Sequence, residues 1–260
     1  MSDFDYAAAL QGCLKAQNTP LKRHDLSNGE SVWVRQLNRG NPRIYYVLLD
    51  WLTRYVLRLP ILRPAYRGGS QAIAAEARRL RDLAAANILA PRLLAENTDG
   101  LMMSDLCTHQ SAQTFDSRLE HADDVVAVWC EGVDALFALH ERGQYLSQAF
   151  ARNILYLDDG RWAFIDFEED PAELLDLASC QVRDQLLLLH STAHYLPDLD
   201  AAAAYWRAKL QHIPEDTAAL FHHTVSRLAW TQKVRLIRHL GRDGRRVAKA
   251  LDLLAKIIRK

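Results

Sequence analysis

The segment from Asn153 to Glu168 constrains this chain more than any other. Two apolar runs, Asn153-Ile154-Leu155-Tyr156-Leu157 and Arg161-Trp162-Ala163-Phe164-Ile165-Asp166-Phe167-Glu168, flank Asp158-Asp159-Gly160. An Asp-Gly pair between such runs is the strongest short-range signal for a β-hairpin. Asn153 opens the first strand and Asp166 lies deep in the second, so strand pairing predicts an amide beside a carboxylate. Together they offer oxygen ligands to a hard cation such as Mg²⁺. A carboxylate at the end of an apolar strand is costly to bury without a cation or a donor. Asp166 and Asn153 are therefore candidate metal ligands, and Glu168 is a third. Glu169 and Asp170 are expected in a solvated loop or as the cap of a helix starting near Pro171.

Before this hairpin the chain reads as strand, strand, helix, strand, strand. Leu21 to Leu26 and Ser31 to Leu37 flank Ser27-Asn28-Gly29-Glu30, a second hairpin signal. Ser70 to Ala86 is dominated by Ala, Arg, Leu and Glu and predicts a helix with Ser70 as its N-cap. Arg92 to Glu96 and Leu101 to Met103 predict two short strands around Thr98-Asp99-Gly100. Beyond Asp105 the pattern turns helical. Val126, Trp129, Val133, Leu136, Phe137 and His140 recur at helical spacing, and long helical runs follow from Ala172 to the end. His140 is expected to tie the following loop in place, and Asp184 to be a buried polar anchor. The fold class implied is α+β, with a small β-rich first part and a helical remainder.

The 260 residues suffice for one large domain or two lobes around a cleft. Formal net charge is zero, which excludes a chain built throughout to bind nucleic acid. The four cysteines, Cys13, Cys107, Cys130 and Cys180, have neither zinc spacing nor a disulfide pattern, and are expected as buried small hydrophobes. The first residues lack the basic start and apolar run of a signal peptide, so a cytoplasmic location is expected. Two segments leave a membrane surface open. Between Arg43 and Tyr66, tyrosines and Trp51 interleave with arginines, which suits a helix at an anionic interface or one packed on its own domain. Residues 230–260 carry ten Lys or Arg against two acidic residues, with Leu251, Leu253, Leu254, Ile257 and Ile258 as an apolar stripe. Such a helix can bind a membrane, bind a partner, or cap its own domain. That run has no aromatic residue after Trp230 to stack bases, so no nucleic-acid partner is expected.

Over roughly residues 20–190, the order of elements and these residues resemble the protein-kinase-like superfamily, specifically its bacterial lipopolysaccharide-kinase branch (Kdo, heptose and InaA-type kinases). Asn153-Ile154-Leu155 is similar to the catalytic-loop Asn that holds a metal. Ile165-Asp166-Phe167-Glu168 is similar to the Asp-Phe-Gly segment in the Asp-Phe-Glu form of this branch. Arg35, in Val32-Trp33-Val34-Arg35, occupies the place of the phosphate-gripping Lys, and Glu76 that of its helix partner. His140 fits the Leu-His position before such loops.

The resemblance implies one two-lobed domain over residues 1–260. The N-lobe would span about 1–105 with residues 43–66 inserted, and the C-lobe about 106–260. It also implies ATP and Mg²⁺ as cofactors, with Arg35, Glu76, Asn153 and Asp166 on the nucleotide and its metal. The acceptor would be a sugar or glycolipid hydroxyl of envelope metabolism, and the location cytoplasmic or peripheral on the inner membrane. The chain departs from the pattern at several points. Leu146 stands where the catalytic-loop His is expected and Gln148 where the catalytic Asp is, Arg35 replaces Lys, and the first hairpin supplies only Gly29 in place of a Gly-rich loop. Gln cannot accept a proton as a carboxylate does, although it can orient a hydroxyl. A pseudokinase that scaffolds or regulates thus stands beside the enzyme reading.

Overall fold

The computed structural model describes residues 4–37, 61, 69–108, 110–231 and 241–259. The interleaved segment from Arg43 to Tyr66 lies outside the described residues except for Ile61, which is buried. The chain is α+β, a small antiparallel sheet near the N-terminus followed by a mostly helical part.

The sheet comes from local pattern. Strand β1 (Leu21–Asp25) and β2 (Ser31–Gln36) form the first hairpin, and β3 (Leu93–Asn97) and β4 (Gly100–Ser104) form the next, in the order β1-β2-β4-β3. Along β2, Val32 and Val34 are fully buried while Trp33 and Arg35 are not. That is the two-residue period of a strand, and it sends Arg35 to the face opposite the valines. Val32, Val34 and Met102 pack with Leu10 of helix α1 (Tyr6–Ala16), whose N-cap Asp5 accepts from the Ala8 N–H. This helix has no counterpart in the expected order of elements. On the other face, Leu101 and Met103 join a larger core with Ile73, Leu80 and Leu83 of helix α2 (Gly69–Ala85). α2 begins at Gly69, so Ser70 sits inside it and does not cap it.

Strand β5 (Ala112–Thr114) and a short helix α3 (Phe115–Glu120), neither anticipated, lead into α4 (Val125–Glu141), capped by Asp124. The predicted hairpin forms as β6 (Ile154–Leu157) and β7 (Trp162–Phe164), with Ile154 opposite Phe164, and β5 joins it as a third strand. Four helices complete the chain: α5 (Leu177–Thr192), α6 (Leu199–Leu210), α7 (Glu215–Thr231) and α8 (Gly241–Ile258). Their core centres on Trp129 and Trp206, both fully buried, with the Trp129 indole N–H donating to Thr192 Oγ1 at 2.9 Å.

Two expectations change here. The apolar stripe of α8 is buried against α5, α6 and α7: Leu251, Leu253, Leu254 and Ile257 all lie in the main core. Of the three fates open to a basic amphipathic helix, this one caps its own domain. Of the cysteines, Cys180 alone is buried; Cys13 and Cys130 are half-buried and Cys107 is exposed. Among the described residues no helix is long and apolar enough to cross a membrane.

Gly132 on α4 lies under the fully buried ring of Phe115, where an added Cβ would stand 2.2 Å from a ring carbon. Ala favours helix over Gly by about 1 kcal/mol, but overpacking a closed core costs ~1–3 kcal/mol. Gly132→Ala should therefore lower the unfolding free energy in urea despite its better helix propensity, and a stabilised variant would show that Phe115 has room to move.

Candidate functional site

Arg35 lies at the centre of the site. Its guanidinium reaches three carboxylates: Nε is 2.7 Å from Glu76 Oε2, Nη1 is 2.9 Å from Glu168 Oε2, and Nη2 is 3.4 Å from Asp166 Oδ1. Each partner arrives for a local reason. Ile73, Glu76, Leu80 and Leu83 are all buried at helical spacing on α2, so Glu76 sits in the apolar stripe with its side chain only 1% exposed. A carboxylate there must find a cation, and the alternation of β2 delivers Arg35 to the same face. Glu76 thus pairs with Arg35, whereas Arg79 turns to Asp82 and to the Tyr145 carbonyl.

Asp166 is not in a strand. The ladder runs one step past β7, with the Ile165 N–H donating to the Asn153 carbonyl at 3.0 Å. Asp166 then takes φ +71°, a left-handed conformation that Asp tolerates better than most residues. The turn swings the chain out of the hairpin plane and lets Asp166 and Glu168 both face Arg35. Asn153, in the 3₁₀ turn Ala151–Asn153 before β6, places Nδ2 3.4 Å from Asp166 Oδ2 and 3.0 Å from the Gln148 carbonyl. Its Oδ1 has no hydrogen-bond partner among the described residues.

These residues border a cleft of about 680 Å³, within the range typical of small-ligand sites. Arg35, Glu76, Asn153 and Asp166 line it together with apolar walls from Leu21, Trp33, Met103, Leu106, Leu155 and Ile165. At its rim Asp105 ties the linker after β4 back to the sheet, accepting from Arg23 Nε at 2.7 Å and from the Cys107 N–H at 2.9 Å. Gln148 is half-buried and is not among the cleft-lining residues; it meets the site through its carbonyl.

The loop that carries Gln148 is held by buried polar residues of α5. Asp184, fully buried, accepts from the Leu146 N–H at 2.6 Å and lies 3.2 Å from His140 Nε2, which bears out both expectations of anchoring. Burial holds the Asp184 carboxyl above the usual carboxylate range, against the pull of His140. Gln181 Nε2 donates to the His140 and Gln144 carbonyls at 2.9 and 3.1 Å, and Arg183 donates to the Ser147 carbonyl. Glu169 and Asp170 do not form a solvated loop. Glu169 is buried against Arg183 Nη2 at 2.9 Å. Asp170 caps the turn Pro171–Glu173 while accepting from Tyr145 Oη at 2.6 Å and pairing with Arg78 at 2.8 Å. Gln181, Arg183 and Tyr145 were not singled out in the sequence. The signal that marks them is a helix whose polar side chains occupy core positions.

Three carboxylates on one guanidinium leave the named groups with two negative charges in excess. Burial first, then Asp166 and Glu168 against the pull of Arg35, push the Glu76 carboxyl up to about 7. Glu168 is likewise raised, chiefly by burial. A divalent cation held by Asp166 and Asn153 Oδ1 would relieve that repulsion, so the donor set fits a hard dication. Among the described residues no group of three or more His, Cys, Asp or Glu is placed to hold a metal. Two protein oxygens suit an ion such as Mg²⁺ only if waters and ligand oxygens complete its shell. No protein-family model and no curated protein matches the chain.

Glu76 binds its proton more tightly folded than unfolded, so its contribution to stability is fully present below pH 4.5 and is lost as pH rises toward about 7. The unfolding free energy of wild type minus that of Glu76→Gln should fall across this window in denaturant titrations at stepped pH. A difference that rises with pH would mean that Arg35 holds Glu76 ionised throughout.

Proposed function

We propose that the chain is a single two-lobed protein-kinase-like domain, with an N-lobe over about residues 1–105 and a C-lobe over about 106–260. In this reading it transfers the γ-phosphoryl group of ATP, with Mg²⁺, to a hydroxyl of a sugar or lipid-linked sugar in bacterial envelope metabolism. The observation that carries the reading is the cleft itself. An apolar slot between strand and hairpin meets a cluster in which Arg35, Glu76, Asn153 and Asp166 converge from four separate segments. An apolar slot suits the faces of a nucleobase, and a guanidinium suits phosphate oxygens, which it can grip bidentately.

Phosphoryl transfer needs positioning and charge neutralisation more than strong base catalysis. Arg35, held by Glu76 behind it, would grip phosphate oxygens. Asp166 and Asn153 would hold Mg²⁺, with Glu168 beside them. When bound, the ion neutralises charge on the transferring group. Gln148 would orient the acceptor hydroxyl from a loop whose backbone is fixed by Asp184, Gln181 and Arg183. A second reading, a nucleotide-binding pseudokinase acting as a scaffold or regulator, is favoured by the amide at position 148. Attachment to the inner membrane would rest on the segment between Arg43 and Tyr66, since the apolar face of α8 is buried.

Thermal-shift titration tests the nucleotide. A ligand at 100 times its Kd adds about 2.7 kcal/mol, so ATP with Mg²⁺ should raise the melting temperature in proportion to its excess over Kd. Asp166→Asn should abolish the Mg²⁺-dependent part of that shift. Equal shifts in both proteins would remove Asp166 from the metal site, and no shift in wild type would count against both readings. Turnover separates them: Gln148→Asp restores a carboxylate and should raise phosphoryl transfer by up to about 10²-fold. If nucleotide binds yet turnover stays undetectable in this variant, the pseudokinase reading is the better one.

A further inference from the structure

The segment that carries Gln148 and Asn153 also borders a second, smaller cavity of about 180 Å³. Phe150, Ala151 and Arg152 form one wall. The end of α5 and the residues after it, the start of α3, and Arg246 on α8 form the rest. Its charge is one-sided. Arg152, Arg246, His190 and His194 line it against the single carboxylate of Asp116. The Arg152 guanidinium lies over the Phe150 ring, 4.4 Å from its centroid, which limits the freedom of an otherwise exposed side chain. Lys249 adds positive potential from behind, its Nζ donating to the His194 carbonyl at 3.2 Å.

His194 makes the cavity more than a basic patch. Both its ring nitrogens are buried and have no hydrogen-bond partner among the described residues. Burial, and then Arg246, Lys249 and His190, hold its pKa below the ordinary histidine value. An imidazole with neither nitrogen satisfied is costly, and cations around it make protonation costlier still. An anion in the cavity would supply an acceptor and the missing countercharge together. The cavity is also coupled to the loop of the proposed active site, because the Ala151 N–H donates to Ser191 Oγ on α5 at 3.0 Å.

We infer that this cavity is an anion subsite for a phosphate monoester carried by the acceptor, so that the acceptor is itself a phosphorylated sugar or phosphorylated lipid-linked sugar. The two guanidiniums favour phosphate over a carboxylate, since their forked donors match its several oxygens. The assignment of an acceptor rests on the cleft being the site of phosphoryl transfer; the anion subsite does not.

Calorimetric titration of the full chain with inorganic phosphate, with and without saturating ADP and Mg²⁺ to fill the cleft, tests both parts. Phosphate should bind in both conditions. Arg152→Gln combined with Arg246→Gln should weaken it by at least about tenfold while leaving the ATP-dependent thermal shift unchanged. Asp116→Asn removes the opposing carboxylate and should tighten phosphate binding several-fold, a gain that a misfolded protein cannot mimic. No phosphate binding to wild type, or the same affinity in both variants, overturns the subsite. Phosphate binding that persists in a protein with no ATP response supports the subsite and sinks the cleft reading alone. Displacement of phosphate by glucose 6-phosphate assigns a soluble acceptor, and displacement by vesicles of phosphatidic acid in phosphatidylcholine assigns a lipid-borne one. Displacement by neither overturns the acceptor assignment.

Discussion

One guanidinium shared by three carboxylates organises the molecule. Arg35 belongs to the N-terminal sheet, Glu76 to α2, and Asp166 and Glu168 to the segment leaving the β6-β7 hairpin. Of the three contacts Arg35–Glu76 is the most buried. Removing one partner of a buried ion pair costs ~3–5 kcal/mol, so the sheet and α2 are bound to one another by more than packing. Among these described residues, carboxylates outnumber the guanidinium three to one. Glu76 and Glu168 both hold their protons more tightly than usual, chiefly because they are buried and further because neighbouring carboxylates repel them. A ligand that brings positive charge would therefore stabilise the fold as it binds, which links stability to occupancy of the cleft.

Around this centre the structure spends its buried polar groups on holding a loop. Asp184, Arg183 and Gln181 project from α5 into positions that a simple amphipathic helix would give to Leu or Val, and each meets the backbone between His140 and Gln148. Leaving such groups unpaired in a low-dielectric interior costs more than any of the bonds gains, so the loop has little freedom to take another path. Tyr145 is fixed from the other side by Asp170 at 2.6 Å and by the Arg79 guanidinium, 3.8 Å from its ring centroid. The loop is held at its base, and Gln148 reaches the site through its carbonyl, which accepts from Asn153 Nδ2. A site on a preorganised support loses less entropy when its ligand binds.

The parts legible in sequence are those decided within a few residues. The three hairpins follow from turn glycines between apolar runs, and α2 and α4 follow from helical periodicity, α2 with boundaries within one residue of those expected. The approach of Asn153 to Asp166 was legible too, because hairpin register is local. What escaped was short or ambiguous. β5 has three residues and forms only because β6 offers it an edge. α1 is signalled by Asp5 alone at its start and earns its place by covering Val32 and Val34.

Charged residues misled where their partners were distant. Glu169 and Asp170 read as a solvated loop or a helix cap; Asp170 does cap the turn at Pro171, but nothing near the pair in sequence announces Arg183, Arg78 or Tyr145. The basic stripe of α8 is written the same way whether it faces lipid or core. Sequence by itself determined the α+β class, the hairpin strand pairs, and Asn153, Asp166 and Glu168 as candidates, because periodicity and turn chemistry act over short range; Arg35 and Glu76 stand out only through the resemblance to a known family. Tertiary structure alone decided that three carboxylates meet on the Arg35 guanidinium, that Gln148 enters the site by its carbonyl, and that α8 closes the core. Those outcomes depend on which buried charges find each other across more than a hundred residues, and desolvation enforces that pairing only once the chain is folded.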